Sequence, residues 1–221
     1  MPQATTNGWR SCTTPSGSGR ARKSAKSRFR SAGYKRIKLP GVNAAFEGFD
    51  RTPYFSSFIA KKFSFNLVSV HLYYGSLGAE SDTKKSMARR ALETFAVATW
   101  ADDRRKGKFT PVKDIVVLGD FNMPVAKKGD PIFDALTKKG LSVPEHGSKI
   151  GSNLGGDMYY DQIAFFPGTA ASAAGKVNVF DFDGGVFPKL WQKLGGDQKK
   201  FKSYLRYHLS DHRPIWCEFK I

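Results

Sequence analysis

Cysteine is nearly absent from this sequence, and so are long apolar runs. The two cysteines, Cys12 and Cys217, are too few for a disulfide framework and do not have the spacing of metal ligands. No apolar run approaches the roughly 20 residues that a membrane span needs. The amino terminus also lacks the apolar core of a secretory signal. The sequence therefore predicts a cytoplasmic protein without a membrane span. Alternation of apolar and polar residues predicts that Cys217 faces the core from a strand.

Acidic residues are absent from the first 40 positions, which contain ten Lys and Arg and therefore carry +10 of the net charge of +17. This segment is rich in Ser, Thr and Gly and has no strand or helix period. The composition predicts that residues 1–40 are a disordered basic tail or are not the natural start of the protein. The folded domain is then expected to occupy residues 41–221. Basic surfaces attract nucleic acid by releasing counterions. Because solvated faces explain much of the remaining +7, charge alone leaves nucleic-acid binding open.

Apolar residues make up 40% of the whole chain and are plentiful beyond the tail, which is enough for one domain with a sizeable core. Apolar or alternating runs predict strands at 63–72, 115–118, 159–166, 177–182 and 214–220. Caps and helical spacing predict helices from Ser81-Asp82 to about Arg105, from Asp130-Pro131 to Gly140, and over 190–207 in two pieces. Strands interleaved with helices predict a layered α/β or α+β domain.

Polar side chains recur where the predicted strands begin or end, and loops at such places are where catalytic groups collect. They are His71, Asp120, Asn122, Asp161, Asp211 and His212. Most of them, taken singly, have an ordinary structural explanation, since Asp and Asn stabilise turns by bonding to nearby backbone. Asp161 differs, because it lies within an apolar strand and a buried carboxylate is costly without a partner.

The order and spacing of these residues resemble the endonuclease/exonuclease/phosphatase superfamily, whose fold is that of deoxyribonuclease I. The motifs are His71, Gly119-Asp120-Phe121-Asn122, Tyr160-Asp161-Gln162-Ile163 and Ser210-Asp211-His212-Arg213-Pro214, preceded by Arg51-Thr52-Pro53-Tyr54. The resemblance covers about residues 46–220. It implies an α+β fold, the four-layer α/β/β/α sandwich, and a metal-dependent phosphoric ester hydrolase.

The resemblance also implies a catalytic pair. His212 would be the base that removes a proton from water, and Asp161 would fix its tautomer and stabilise the imidazolium. Asp120 would orient water or protonate the leaving oxygen.

The remaining residues would bind the phosphate and a cation. Asn122 would donate an amide hydrogen bond to the phosphate, which His71 and Arg51 would also contact. Asp211 would help to hold a hard divalent cation, with Mg²⁺ the first choice and Mn²⁺ or Ca²⁺ as alternatives.

One element of the family pattern has no counterpart here, namely early strands that carry an asparagine and a Gln-Glu pair. The glutamate of that pair is the family's principal metal ligand, and Glu47 is the only glutamate ahead of the motifs. The sequence therefore predicts an N-terminally incomplete fold and feeble activity, with Glu47 as the first candidate for a substitute ligand.

Three functions stay open on the sequence alone. The first is a monomeric phosphodiester hydrolase, with a nuclease placed ahead of a lipid phosphodiesterase or a sugar or inositol phosphatase. The second is a catalytically inactive, basic fragment that binds nucleic acid. The third is a product of a disrupted gene that has no function. The motifs address the phosphate that all these substrates share, so they do not choose among them.

Overall fold

The computed structural model describes residues 35–60, 63–75, 80–168 and 174–220. Six strands lie in this part of the chain: β1 Tyr54–Ala60, β2 Phe63–His71, β3 Ile115–Asp120, β4 Asp161–Phe165, β5 Ala174–Val179 and β6 Ile215–Phe219. Its α-helices are α1 Glu80–Lys106, α2 Pro131–Thr137, α3 Phe182–Gly185, α4 Pro188–Lys193 and α5 Gln198–His208. The predicted α+β class is confirmed.

A four-stranded mixed sheet in the order β1-β2-β3-β4 forms the centre of the fold. β2 and β3 are parallel, and parallel neighbours need a crossover connection, which α1 provides. Because side chains alternate along a strand, one face of the sheet presents Val68, Val70 and Val117 to Val97 and Ala101 of α1. This burial fixes the helix on one face of the sheet.

The other face of this sheet packs against a two-stranded antiparallel sheet of β5 and β6. Phe63, Phe165 and Val177 are buried between the two sheets, and Cys217 and Phe219 of β6 pack against them. Cys217 is half-buried and points inward, as alternation predicts. The helices α3, α4 and α5 contribute to a separate cluster around Leu154, Phe182, Phe201 and Leu205.

The structure corrects several predicted element boundaries. β1 was not expected, because Tyr54–Ala60 alternates poorly and becomes a strand through its antiparallel pairing with β2. α1 begins at Glu80, ahead of the predicted cap at Ser81-Asp82. β5 ends at Val179 because Asp181 caps the next helix with its side chain. α2 begins as predicted, with Asp130 accepting hydrogen bonds from two backbone amides of its first turn.

The predicted tail at 1–40 lies outside the described residues up to position 34. Of its remaining residues, Leu39 is buried and packs with Phe46 and Leu92, and Ile37 packs against the same cluster. No helix in the described part of the chain has the length and apolarity needed to cross a membrane.

Candidate active site

Three of the predicted site residues lie side by side at one edge of the central sheet. The strand register pairs His71 with Asp120 and Asp120 with Asp161. β2 and β3 are parallel, so both end at this edge, and β4 runs antiparallel and begins there. Since neighbouring strands lie about 4.8 Å apart, the register alone brings the imidazole and the two carboxylates into one row.

Gly119 permits the close approach of β2 and β3 in this row. Its φ is +130°, a conformation that favours glycine. A Cβ at this position would lie 2.1 Å from the carbonyl oxygen of Val70, far inside van der Waals contact. The glycine of the Gly-Asp-Phe-Asn motif is therefore needed to let the two strands pack closely, whatever part the motif plays in catalysis.

His212 reaches the same row from the second sheet. It lies just ahead of β6 and forms an isolated bridge with Asn153. Its Nδ1 is 2.7 Å from Oδ2 of Asp161, a short hydrogen bond between partly buried side chains. Asp161 thereby has the partner that a carboxylate at the start of an apolar strand needs.

Arg213 fixes the loop that carries His212. Its guanidinium is 5% exposed and forms a bidentate ion pair with Asp183, at 2.5 Å to each carboxylate oxygen. The same guanidinium donates to the backbone carbonyls of Asn153 and Leu154. The backbone amide of Arg213 donates to the carbonyl of Ser152. These bonds tie the residue after His212 to the 151–154 segment and to α3.

Asp120 and Asn122 form a compact turn after β3. The amide of Asn122 donates to Oδ1 of Asp120 at 2.7 Å, and Asn122 adopts a left-handed φ of 52°. The Asn122 side chain donates to the carbonyl of Leu72. A side-chain amide carries two hydrogens, so this bond leaves one donor of Asn122 for a ligand. The Nε2 of His71 is 3.7 Å from Oδ2 of Asp120, which is too far for a hydrogen bond.

The titratable groups of the site change one another's pKa values. The hydrogen bond that His212 donates to Asp161, with the negative charges nearby, outweighs burial and raises the pKa of His212 to about 8. Burial is the largest cause of the raised pKa of Asp120, and the charge of Asp161 adds to it, while the Asn122 backbone amide opposes it. Perturbed pKa values in one cluster are typical of functional sites.

A cavity of about 420 Å³ opens over these groups. Six of the seven predicted site residues line it: Arg51, His71, Asp120, Asn122, Asp211 and His212. Asp161, the seventh, contacts His212 and lines an adjoining cavity together with it. The structure thus brings all seven predicted residues together. The cavity is also lined by residues that were not predicted as site residues, including Tyr74, Tyr160 and Arg206.

Glu47 lies elsewhere, in a different cavity formed by residues 41–48 and α1. A glutamate that the sequence did not single out, Glu93, is fully buried in α1 and accepts hydrogen bonds from the backbone amides of Asp50 and Tyr73, both at 3.0 Å. Burial raises its pKa, against the opposing effect of those hydrogen bonds and of Arg89. Glu93 therefore anchors the segments next to Arg51 and His71 and does not line the cavity.

The donor set of the site suits a hard cation. Ligand atoms from Asp120, Asp161 and His212 all lie within 4.8 Å of one another. Carboxylate oxygens are the ligands that Mg²⁺ prefers, and two partly buried carboxylates side by side repel each other unless a positive charge is near. Asp211 is exposed on the wall of the same cavity. Among the described residues, no glutamate lines this cavity.

Comparisons with known proteins find similarity in structure and none in sequence. No protein-family model matches the chain, and no curated protein matches it. The similar solved structures include a mannosyl-6-phosphatase from Bacteroides thetaiotaomicron, at 17% identity and a TM-score of 0.40 over 72% of this chain and 51% of that one. A 3′-5′ exonuclease (NExo) from Neisseria meningitidis matches at 18% identity and a TM-score of 0.47, over 79% of this chain and 70% of that one.

A third similar structure is an endonuclease/exonuclease/phosphatase family protein from Leptotrichia buccalis, at 12% identity and a TM-score of 0.41. The match covers 75% of this chain and 52% of that one. The chain thus spans about half the length of the mannosyl-6-phosphatase and of the Leptotrichia protein. At such identities and TM-scores, the matches carry no argument about the chemistry of this chain, which has to be argued from the geometry of its own site.

Proposed function

We propose that this chain is a metal-dependent phosphoesterase that hydrolyses phosphodiester bonds, with a nucleic acid as the substrate. The observation that carries the proposal is the 2.7 Å pair of Asp161 and His212 next to Asp120, in a cavity that also holds Arg51 and His71. A base with an orienting carboxylate, a second carboxylate and cationic groups are what phosphoester hydrolysis requires.

His212 acts as the general base. Asp161 accepts a hydrogen bond from the Nδ1–H group, which leaves Nε2 as the free acceptor when the ring is neutral. A water molecule in the cavity then loses its proton to Nε2 as its oxygen attacks phosphorus. Asp161 stabilises the imidazolium that results, in the same way that it raises the pKa of His212.

Other groups of the cavity bind the phosphate and assist the leaving oxygen. Arg51, His71 and the second amide hydrogen of Asn122 are donors for the phosphate oxygens. Asp120, whose pKa is raised, donates a proton to the leaving oxygen more readily than an ordinary aspartate would at neutral pH.

Asp211 is the carboxylate left to hold a cation, because Oδ2 of Asp161 already bonds to His212 and Asp120 carries the proton for the leaving oxygen. A bound Mg²⁺ would neutralise charge on the phosphate. Mg²⁺ sites usually rest on one or two carboxylates together with substrate phosphates. With no glutamate in the described lining, we expect weak Mg²⁺ affinity and slow turnover.

The test is hydrolysis of bis(p-nitrophenyl) phosphate and nicking of a supercoiled plasmid by the full chain, with Mg²⁺ or with EDTA. His212→Ala should abolish both activities, and His208→Ala, which removes an exposed histidine of α5, should leave diester hydrolysis intact. Turnover that survives His212→Ala would contradict the proposed base.

The absence of a lining glutamate among the described residues also favours a second candidate function, a basic nucleic-acid-binding protein without catalysis. Its expected behaviour is oligonucleotide binding that weakens steeply with salt, combined with no turnover at any Mg²⁺ concentration. Mg²⁺-dependent turnover that is lost in His212→Ala would exclude this candidate.

A further inference from the structure

Helix α5 carries positive charge without acidic residues. Residues 198–209 contain Lys199, Lys200, Lys202 and Arg206 and no Asp or Glu. Only Phe201 and Leu205 of the helix are buried, so most of its surface faces solvent. Lys200 forms an ion pair with Asp197, the residue that caps the helix.

Three of these basic residues lie on one side of the helix. Lys199, Lys202 and Arg206 are spaced by three and four positions, which places them in one stripe. We call these three residues the basic stripe. Within the part of the chain that the structure describes, none of the three has a carboxylate within 4.0 Å, unlike Lys200. The basic stripe is therefore positive charge that the fold does not neutralise.

The basic stripe continues from the catalytic cavity. Arg206 lines the cavity wall together with Asn153 and Gly155. Lys202 precedes Arg206 by four residues, about one helical turn, and so lies on the same side of α5. It also lines a neighbouring cavity together with Asp183 and Arg213.

The length of the basic stripe indicates what it binds. Lys199 and Arg206 are seven positions apart, or about 10 Å at 1.5 Å per residue. The phosphates of an unwound strand are farther apart than the roughly 3.4 Å of axis per phosphate in a duplex, so about two to three phosphates fit along this distance. A substrate with a single phosphate would occupy the cavity and leave Lys199 and Lys202 without a contact.

Aromatic side chains stand at the other end of this track. Tyr74 is 37% exposed, and both it and Tyr160 line the cavity, with ring centroids 6.2 Å apart. Unpaired bases stack on such rings without regard to sequence. Phosphate contacts on one side and aromatic rings on the other are the combination that binds a single strand.

We propose that the basic stripe is a binding track for one strand of nucleic acid, which holds the phosphates next to the one in the cavity. This inference rests on the proposed function, because it assigns the substrate class of the same site. It makes the chain selective for a polyanion over an isolated phosphoester.

The experiment measures binding of a fluorescent 20-nucleotide single-stranded DNA to the full chain by anisotropy, in EDTA, from 50 to 300 mM salt. The variant replaces all three residues of the basic stripe (Lys199→Gln, Lys202→Gln, Arg206→Gln). The matched control removes three charges at the opposite ends of the strands (Lys108→Gln, Lys113→Gln, Lys220→Gln), all of them exposed. Circular dichroism establishes that each variant is folded.

Each phosphate contact on a single strand contributes about 0.7 to the slope of log K against log salt. We expect the slope to fall by about 2 in the stripe variant and by less than about 0.5 in the control. Equal losses in the two variants would overturn the proposal, because they would show that the affinity comes from diffuse charge. Stripe-dependent binding to phosphatidylserine vesicles without binding to the oligonucleotide would also overturn it. Hydrolysis of bis(p-nitrophenyl) phosphate by the unaltered chain tests the proposed function separately.

Discussion

The pair of Asp161 and His212 gives a sharp prediction, because one substitution changes two measurable properties of one residue. Asp161→Asn keeps the size of the side chain and removes its charge. The carboxylate is the main reason that the pKa of His212 is raised from 6.5 to about 8. We therefore expect the pKa of His212 to fall towards about 6.5 in the variant, since the largest cause that raises it is removed and only the weaker effects of Asp120 and Asp211 still oppose burial.

This shift changes how much of the base is available. At pH 7 about 9% of His212 is neutral when its pKa is about 8, against about 76% when its pKa is 6.5. If base availability alone mattered, Asp161→Asn would be faster at pH 7. We expect it to be slower by about 100-fold or more, because an asparagine can hold the imidazole in the wrong tautomer and does not stabilise the imidazolium.

The same pair contributes to stability in a defined pH window. Because folding raises the pKa of His212, the contribution is fully present below the unfolded pKa of about 6.5 and is lost as the pH rises through about 8. The shift corresponds to on the order of 1–2 kcal/mol after allowance for solvent screening. Asp161→Asn should therefore lower the free energy of unfolding more at pH 6 than at pH 9.

The measurement is an NMR titration of the histidine ring signals in protein treated with EDTA, with the His212 resonance assigned by its loss in His212→Ala. Urea unfolding at pH 6 and pH 9 gives the stability difference. A His212 pKa that is the same in the Asp161→Asn variant as in the parent chain would refute the reasoning, and so would a variant as active as the parent chain at pH 7.

Three further predictions concern the geometry of the site. Asp183→Asn should cost about 3 kcal/mol at pH 7, because the buried guanidinium of Arg213 loses its bidentate partner and keeps only the carboxylate of Asp181, 3.5 Å away. The bonds from Arg213 outweigh burial and lower the pKa of Asp183, so urea unfolding should show this cost shrinking as the pH falls below the ordinary aspartate pKa of 3.8. Gly119→Ala should lower the melting temperature strongly, as its Cβ would meet Val70 at 2.1 Å, and a variant as stable as the parent would contradict the close approach of β2 and β3. His71→Ala should reduce kcat/KM for bis(p-nitrophenyl) phosphate about 10-fold or more, because it removes a proposed phosphate contact. The urea midpoint should stay unchanged, because the His71 side chain is 61% exposed. An unchanged kcat/KM would show that His71 does not contact the phosphate.

Much of the site was predictable because its residues stand next to strands that the local pattern marks clearly. A run such as Ile115–Leu118 predicts a strand by itself, and the residues that follow it must lie at the edge of a sheet. Once β2 and β3 pair in parallel, His71 and Asp120 can only come to the same edge. The motifs therefore predicted a cluster whose members are up to 141 positions apart, from His71 to His212.

Other features depend on contacts between segments that are distant in the chain. β1 exists because β2 offers it hydrogen bonds, and no pattern within Tyr54–Ala60 indicates this. Glu93 has the appearance of an ordinary helix residue until folding surrounds it with the amides of Asp50 and Tyr73. Arg206 becomes a residue of the candidate active-site cavity only because α5 packs through Phe201 and Leu205.

The sequence by itself determined the strands and helices with strong periodicity, and the types and order of the site residues, because these depend on spacing along the chain. The resemblance of the motifs already implied that Asp161 pairs with His212, which the structure shows at 2.7 Å. Tertiary structure alone decided that Glu47 lies away from the cavity and that the basic stripe of α5 continues from the cavity. These outcomes depend on which surfaces pack together, and packing is set by the total burial of apolar area over the whole chain, which no local pattern contains.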